Sequence, residues 1–130
     1  MSGAVFGQES QDRHVEATRQ TEAEKDSRFQ IIQSDLAVRL TFRLDRYTGT
    51  VHQLVKDREG NSAWQLMETD KAPTFKVPFH PRFQIFLSGL AARFTFLLDN
   101  DSGQTWQLVQ ATTTSADGSK SVNESWQFVP

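Results

Sequence analysis

Few side chains in this 130-residue chain are of a type and spacing that could do chemistry. The three histidines, His14, His52 and His80, are scattered and form no metal-ligand spacing, so His52 alone is left as a conceivable general base or ligand. Asp45 and Asp99 recur as a pair that could serve as acid and base, but each stands in the same turn context, which accounts for both without catalysis. Asp99, Asp101 and Gly103 begin like a calcium loop, yet the glycine falls one place early and no glutamate closes the site. Asn100-Asp101-Ser102 and Asn123-Glu124-Ser125 fit a glycosylation triplet, which has meaning only after secretion. There is no cysteine, hence no disulfide, thiolate ligand or cysteine nucleophile, and no Ser/His/Asp set, phosphate-binding glycine loop or zinc spacing. The expectation is a non-catalytic protein with no metal and no cofactor.

The elements that would position any site come from an internal duplication. Arg28 to Val55, RFQIIQSDLAVRLTFRLDRYTGTVHQLV, returns 54 residues later as Arg82 to Val109, RFQIFLSGLAARFTFLLDNDSGQTWQLV, with 16 of 28 positions identical and no gap. Each copy alternates with period two. Val38, Leu40, Phe42 and Leu44 oppose Arg39, Thr41, Arg43 and Asp45, and Ala92, Phe94, Phe96 and Leu98 oppose Arg93, Thr95, Leu97 and Asp99. Asp45 to Gly49 and Asp99 to Gly103 read as hairpin turns, with the aspartate accepting backbone N–H groups and the glycine taking a left-handed conformation. On the return strand His52 and Leu54, or Trp106 and Leu108, are expected on the inner face. Phe29 and Ile31 (Phe83 and Ile85) mark a first strand, and Trp64 and Leu66 (Trp126 and Phe128) a fourth.

The segment LDRYTGTVHQLV, with its counterpart LDNDSGQTWQLV, resembles hairpins in quinoprotein-type β-propeller blades, where an Asp, a Thr-Gly turn and a following Trp recur. The resemblance spans a dozen residues per copy and carries over no site and no cofactor. Two repeats close such a ring only if several chains assemble.

A four-stranded sheet leaves one apolar face bare, so the two copies are expected to cover each other. The fold class that follows is all-β: two tandem four-stranded antiparallel repeats packed as a pseudo-twofold eight-stranded sandwich or barrel, behind a polar N-terminal arm. Residues 1–27 form that arm, with six acids against three bases and no apolar stripe; residues 28–130 form one β domain, divided into repeat one 28–67, a Pro-rich linker 68–81 and repeat two 82–130. Phe75, Val77 and Phe79 alternate, so the linker could lie against a sheet edge. Repeat two differs chiefly in Ala111 to Asn123, a connection about eight residues longer than its counterpart.

Fourteen basic against sixteen acidic residues give no electrostatic reason for nucleic acid, and the aromatics lie on the face opposite Arg39, Arg43 and Arg93. No signal peptide or membrane-spanning stretch is visible, and a cytoplasmic protein is expected. In repeat two Phe86, Leu97, Val109 and Val129 share the outer parity, and an apolar outer face is usually a covered one. These residues, with Asp117 in the long connection, are the candidate contact for a protein partner or a second copy of the chain. The alternative is a barrel that holds a small apolar or aromatic ligand against His52, Trp64, Trp106 and Trp126.

Overall fold

The computed structural model describes residues 22–72 and 80–130. Within them the chain is all-β. The first sheet runs β1 (Phe29–Gln33), β2 (Thr41–Asp45), β3 (Val51–Lys56), β4 (Ser62–Leu66), and the second runs β5 (Phe83–Phe86), β6 (Phe96–Asp99), β7 (Thr105–Thr114), β8 (Lys120–Val129). Each is an antiparallel meander in chain order, and a short 3-10 helix, Ala92–Phe94, leads into β6. Residues 1–21, which include most of the polar arm and His14, and residues 73–79, which include Phe75, Val77 and Phe79, lie outside the described residues.

The central hairpins form for the reasons the sequence offers. The Asp45 carboxylate accepts the Tyr47 N–H and the Asp99 carboxylate the Asp101 N–H, while Gly49 and Gly103, at φ +81° and +79°, return their N–H groups to the carbonyls of Asp45 and Asp99. Each aspartate is also gripped in a fork by the arginine that opens its repeat. Arg82 Nε and Nη2 lie 2.6 and 2.7 Å from the two Asp99 oxygens, and Arg28 holds Asp45 more loosely at 2.9 to 3.2 Å. A second repeated device ties the β-strands to the loops before them: Gln53 donates to the Arg39 carbonyl and Gln107 to the Arg93 carbonyl.

The turn also decides which faces agree across a hairpin. Asp99 N–H bonds to the Gln104 carbonyl, so an even number of residues, 100–103, lies between the paired positions, and even positions of β6 meet odd positions of β7. Leu98 therefore pairs with Thr105, and Leu97 with Trp106; in repeat one Leu44 pairs with Val51 and Arg43 with His52. This corrects the expected parity. In β3 the buried residues are Val51 and Gln53, with His52 and Leu54 on the other face, and Leu97 lies in the core, only 1% exposed, instead of on the outer face with Phe86.

The two sheets stack through non-equivalent faces. Sheet one buries Ile32, Phe42, Leu44 and Val51; sheet two buries Phe83, Leu97, Trp106 and Leu108, which stand 54 residues after Phe29, Arg43, His52 and Leu54, and Trp126, which beyond the longer connection stands 62 after Trp64. The two four-stranded sheets are consistent with the expected sandwich, but a twofold relation would bury the same face of both repeats, and the faces buried here differ. The two sheets form separate ladders, so they do not close as a barrel. Between them Phe42 packs on Trp126 with ring centroids 5.7 Å apart, and Gln53 and Arg39 reach across to Glu124. At one end Glu68 to Asp70 brackets Trp126: the Trp126 N–H bonds to the Glu68 carbonyl, the Asp70 N–H to the Trp126 carbonyl, and the Trp106 indole N–H donates to the Asp70 carbonyl. At another, the Arg46 carbonyl accepts the N–H groups of both Arg82 and Phe83.

The long connection of repeat two is strand for most of its length. Ala111 to Thr114 pairs with Lys120 to Asn123, and only residues 115–119 turn, with Asp117 accepting the N–H and hydroxyl of Ser119. The hairpin extends past sheet one as an exposed ribbon.

Gly49 gives the first test. A Cβ there would lie 2.8 Å from the Phe83 ring, whereas at Gly103 nothing comes within 4 Å. Both alanine variants carry left-handed strain of about 1 kcal/mol, and Gly49→Ala adds a clash of roughly 1–3 kcal/mol. Denaturant unfolding should show Gly49→Ala to be clearly the less stable of the two.

Candidate functional site

The apolar candidates among the described residues sit on the faces this stacking covers or leaves open. The open face of sheet one carries Phe29, Ile31, Arg43, His52, Leu54, Trp64 and Leu66, with Phe29 54% and Ile31 58% exposed. Arg43 lies over the Trp64 ring, 5.2 Å from its centroid, and Arg28 lies over Phe29 and Tyr47. The open face of sheet two carries Phe86, Phe96, Leu98, Thr105, Gln107, Val109 and Val129. Phe86 is 58% exposed.

Of the residues marked in sequence as a partner contact, Phe86, Val109 and Val129 share this second open face. Leu97 does not, and Asp117 is remote at the tip of the β7–β8 ribbon. Sequence reasoning missed Phe96 and Leu98 on the same face, having placed them inside. The register through the even turn was the signal that would have moved them. The proposed ligand-lining set also divides: Trp106 and Trp126 are fully buried between the sheets, while His52 and Trp64 lie on the far face of sheet one. The four do not line one interior. The Trp126 indole N–H has no hydrogen-bond partner among the described residues.

The titratable groups are committed to structure. Burial alone would raise the Asp99 carboxyl; hydrogen bonds from Arg82, Ser102 and the Asp101 N–H outweigh it and hold the group down at about 2. Asp45 is lowered by the same balance, burial opposed first by Arg28 and then by its turn. His52 is lowered by burial and by the neighbouring Arg43, which favours a neutral imidazole. His80 and Asp101 form an exposed pair at 2.9 Å. Among the described residues no cluster of three His, Asp or Glu side chains could hold a metal ion, and no helix is long and apolar enough to cross a membrane. An open groove of about 1110 Å³ runs along the Glu68–Asp70 seam between Gly49 and Trp126, and the backbone groups there are largely engaged in joining the sheets.

Set against known proteins, the chain matches no family model, no curated protein and no solved structure.

The Asp99 environment predicts a pH response. A carboxyl lowered from 3.8 to about 2 on folding stabilises the native state above pH 4, and that contribution is lost as pH falls toward 2. It amounts to about 2 kcal/mol. The midpoint of chemical unfolding should fall steeply between about pH 4 and 2. Asp99→Asn should reduce that slope and destabilise the protein at neutral pH by more than Asp45→Asn does.

Proposed function

We propose that this protein is a non-catalytic protein-binding module whose docking surface is the open face of sheet two. The observation that carries this reading is the contiguous apolar set Phe86, Phe96, Leu98, Val109 and Val129, which packs against nothing else in the chain's described core. Rows of Gln84, Thr105 and Gln107 interleave with these residues, giving hydrogen-bonding groups at intervals across an apolar patch, a composition suited to an interface that forms and dissociates. Asp45 and Asp99, each tied into a turn and an arginine fork, favour binding over acid–base chemistry at these positions. The projecting β7–β8 ribbon adds a second contact beside this face.

Affinity capture from the native host, with buffer-only and Phe86→Asp controls, tests the reading. Every protein other than the chain itself that the wild type retains should be lost with Phe86→Asp while the melting temperature changes little, because the side chain is exposed. Leu97→Asp should unfold the domain. If Phe86→Asp retained the full wild-type set, the face would not be the docking surface.

A further inference from the structure

We infer that the partner of this face is the open face of sheet one in a second copy of the chain, so that chains assemble head to tail. The inference rests on the docking reading above and names its occupant.

The argument is one of equivalence. Within one chain the inner-face residues of sheet two (Phe83, Ile85, Leu97, Trp106 with Phe128, Leu108 with Trp126) already pack on the Ile32, Phe42, Leu44, Val51 and Gln53 face of sheet one. Carried to the other repeat, by 54 residues up to the longer connection and by 62 beyond it, the first set becomes the open face of sheet one, and the second set becomes Phe86, Phe96, Leu98, Thr105 and Gln107, the open face of sheet two. Each chain thus ends in the two halves of an interface it has already formed once inside itself. The contacts carry over individually. The Phe42–Trp126 ring pair becomes Phe96 of one chain against Trp64 of the next. Gln53 reaching toward Glu124 becomes Gln107 reaching toward Ser62.

The fit at the glycine is the most specific. Gly49 exists without a Cβ because the Phe83 ring lies against it; its counterpart Gly103 has nothing within 4 Å, and the counterpart of Phe83, Phe29, stands exposed. Phe29 of a second copy fits the space over Gly103. Three exchanges make the contact between chains more polar than the one within a chain: Arg43, His52 and Thr105 stand where the buried faces have Leu97, Trp106 and Val51. Folded over Trp64, Arg43 keeps its charge toward the rim and faces Thr105 and Gln107, which can accept from it.

Such an interface joins different patches, so it closes as a ring or continues as a filament. Radially stacked four-stranded sheets close at about 4–8 sheets, which corresponds to roughly two to four chains.

Light scattering on the purified full-length chain, together with a complementation experiment, tests this. The wild type should have a mass that is a small multiple of the 14.8 kDa chain. Ile31→Asp on sheet one and Phe86→Asp on sheet two should each give folded monomers or the weakest of associations. Mixed one to one, the two variants retain a single intact interface between them and should form a 1:1 dimer that goes no further. Leu66→Asp and Val129→Asp replace either variant should circular dichroism show it unfolded. A monomeric wild type overturns the inference, as would a mixture that stays monomeric. An assembly broken by only one of the two lesions would also overturn it, since that marks a like-to-like contact. A monomeric wild type whose host partners are still lost with Phe86→Asp would overturn self-assembly and leave the docking face standing. Loss of neither would sink both.

Discussion

The packing of Trp126 on Phe42 is the contact on which the rest of the molecule depends. It joins the fourth strand of one sheet to the second strand of the other, and it can form only because sheet two presents the Leu97 and Trp106 face where sheet one presents the Phe42 and Val51 face, which is not its equivalent. Around it the Glu68–Asp70 seam supplies backbone hydrogen bonds on both sides of Trp126, and Gln53 and Arg39 meet Glu124 at the rim. The Arg46 carbonyl, holding the start of β5, fixes the second sheet from the opposite side. A buried apolar contact and a few directional hydrogen bonds together set the register between two units that could otherwise slide.

Because the stacked faces differ, the chain has two unlike open ends rather than a finished core. Phe29, Ile31 and Leu66 at one end and Phe86 and Val129 at the other are exposed for the same reason: each belongs to a face whose counterpart in the other repeat is buried. These groups of large exposed apolar residues are the observation from which the docking reading starts. The stacking of unlike faces therefore accounts for the internal packing and for the surface.

Much of this was legible in the sequence. The duplication, the all-β class, the meander of four strands per repeat and the Asp-to-Gly turns all followed from residue pattern, because alternation and turn chemistry are local. The facing was not, because it depends on how many residues the turn places between paired positions, a matter of hydrogen bonding that composition does not reveal. A signal was nonetheless present in the differences between repeats. Arg43 against Leu97 and His52 against Trp106 are polar in the repeat where that face is open and apolar where it is buried. Taken as a pair across one hairpin, they say which side of sheet two goes inside. Leu97 read alone suggested an apolar outer face, and so it was assigned to the surface. The long connection was misread for a similar reason: its Thr and Ser residues suit a loop, yet Thr112 and Thr113 are β-branched and pair well across an extended ribbon.

The claim that the sheets stack through unlike faces is tested most directly by double-mutant cycles on stability, measured at chain concentrations low enough to exclude association. The account predicts that Phe42→Ala and Trp126→Ala are coupled, by about 0.5–1.5 kcal/mol for a packed aromatic pair, and that Trp64→Ala and Trp126→Ala are additive. Coupling between Trp64 and Trp126, with none between Phe42 and Trp126, would mean that equivalent faces are buried together, and would contradict the account.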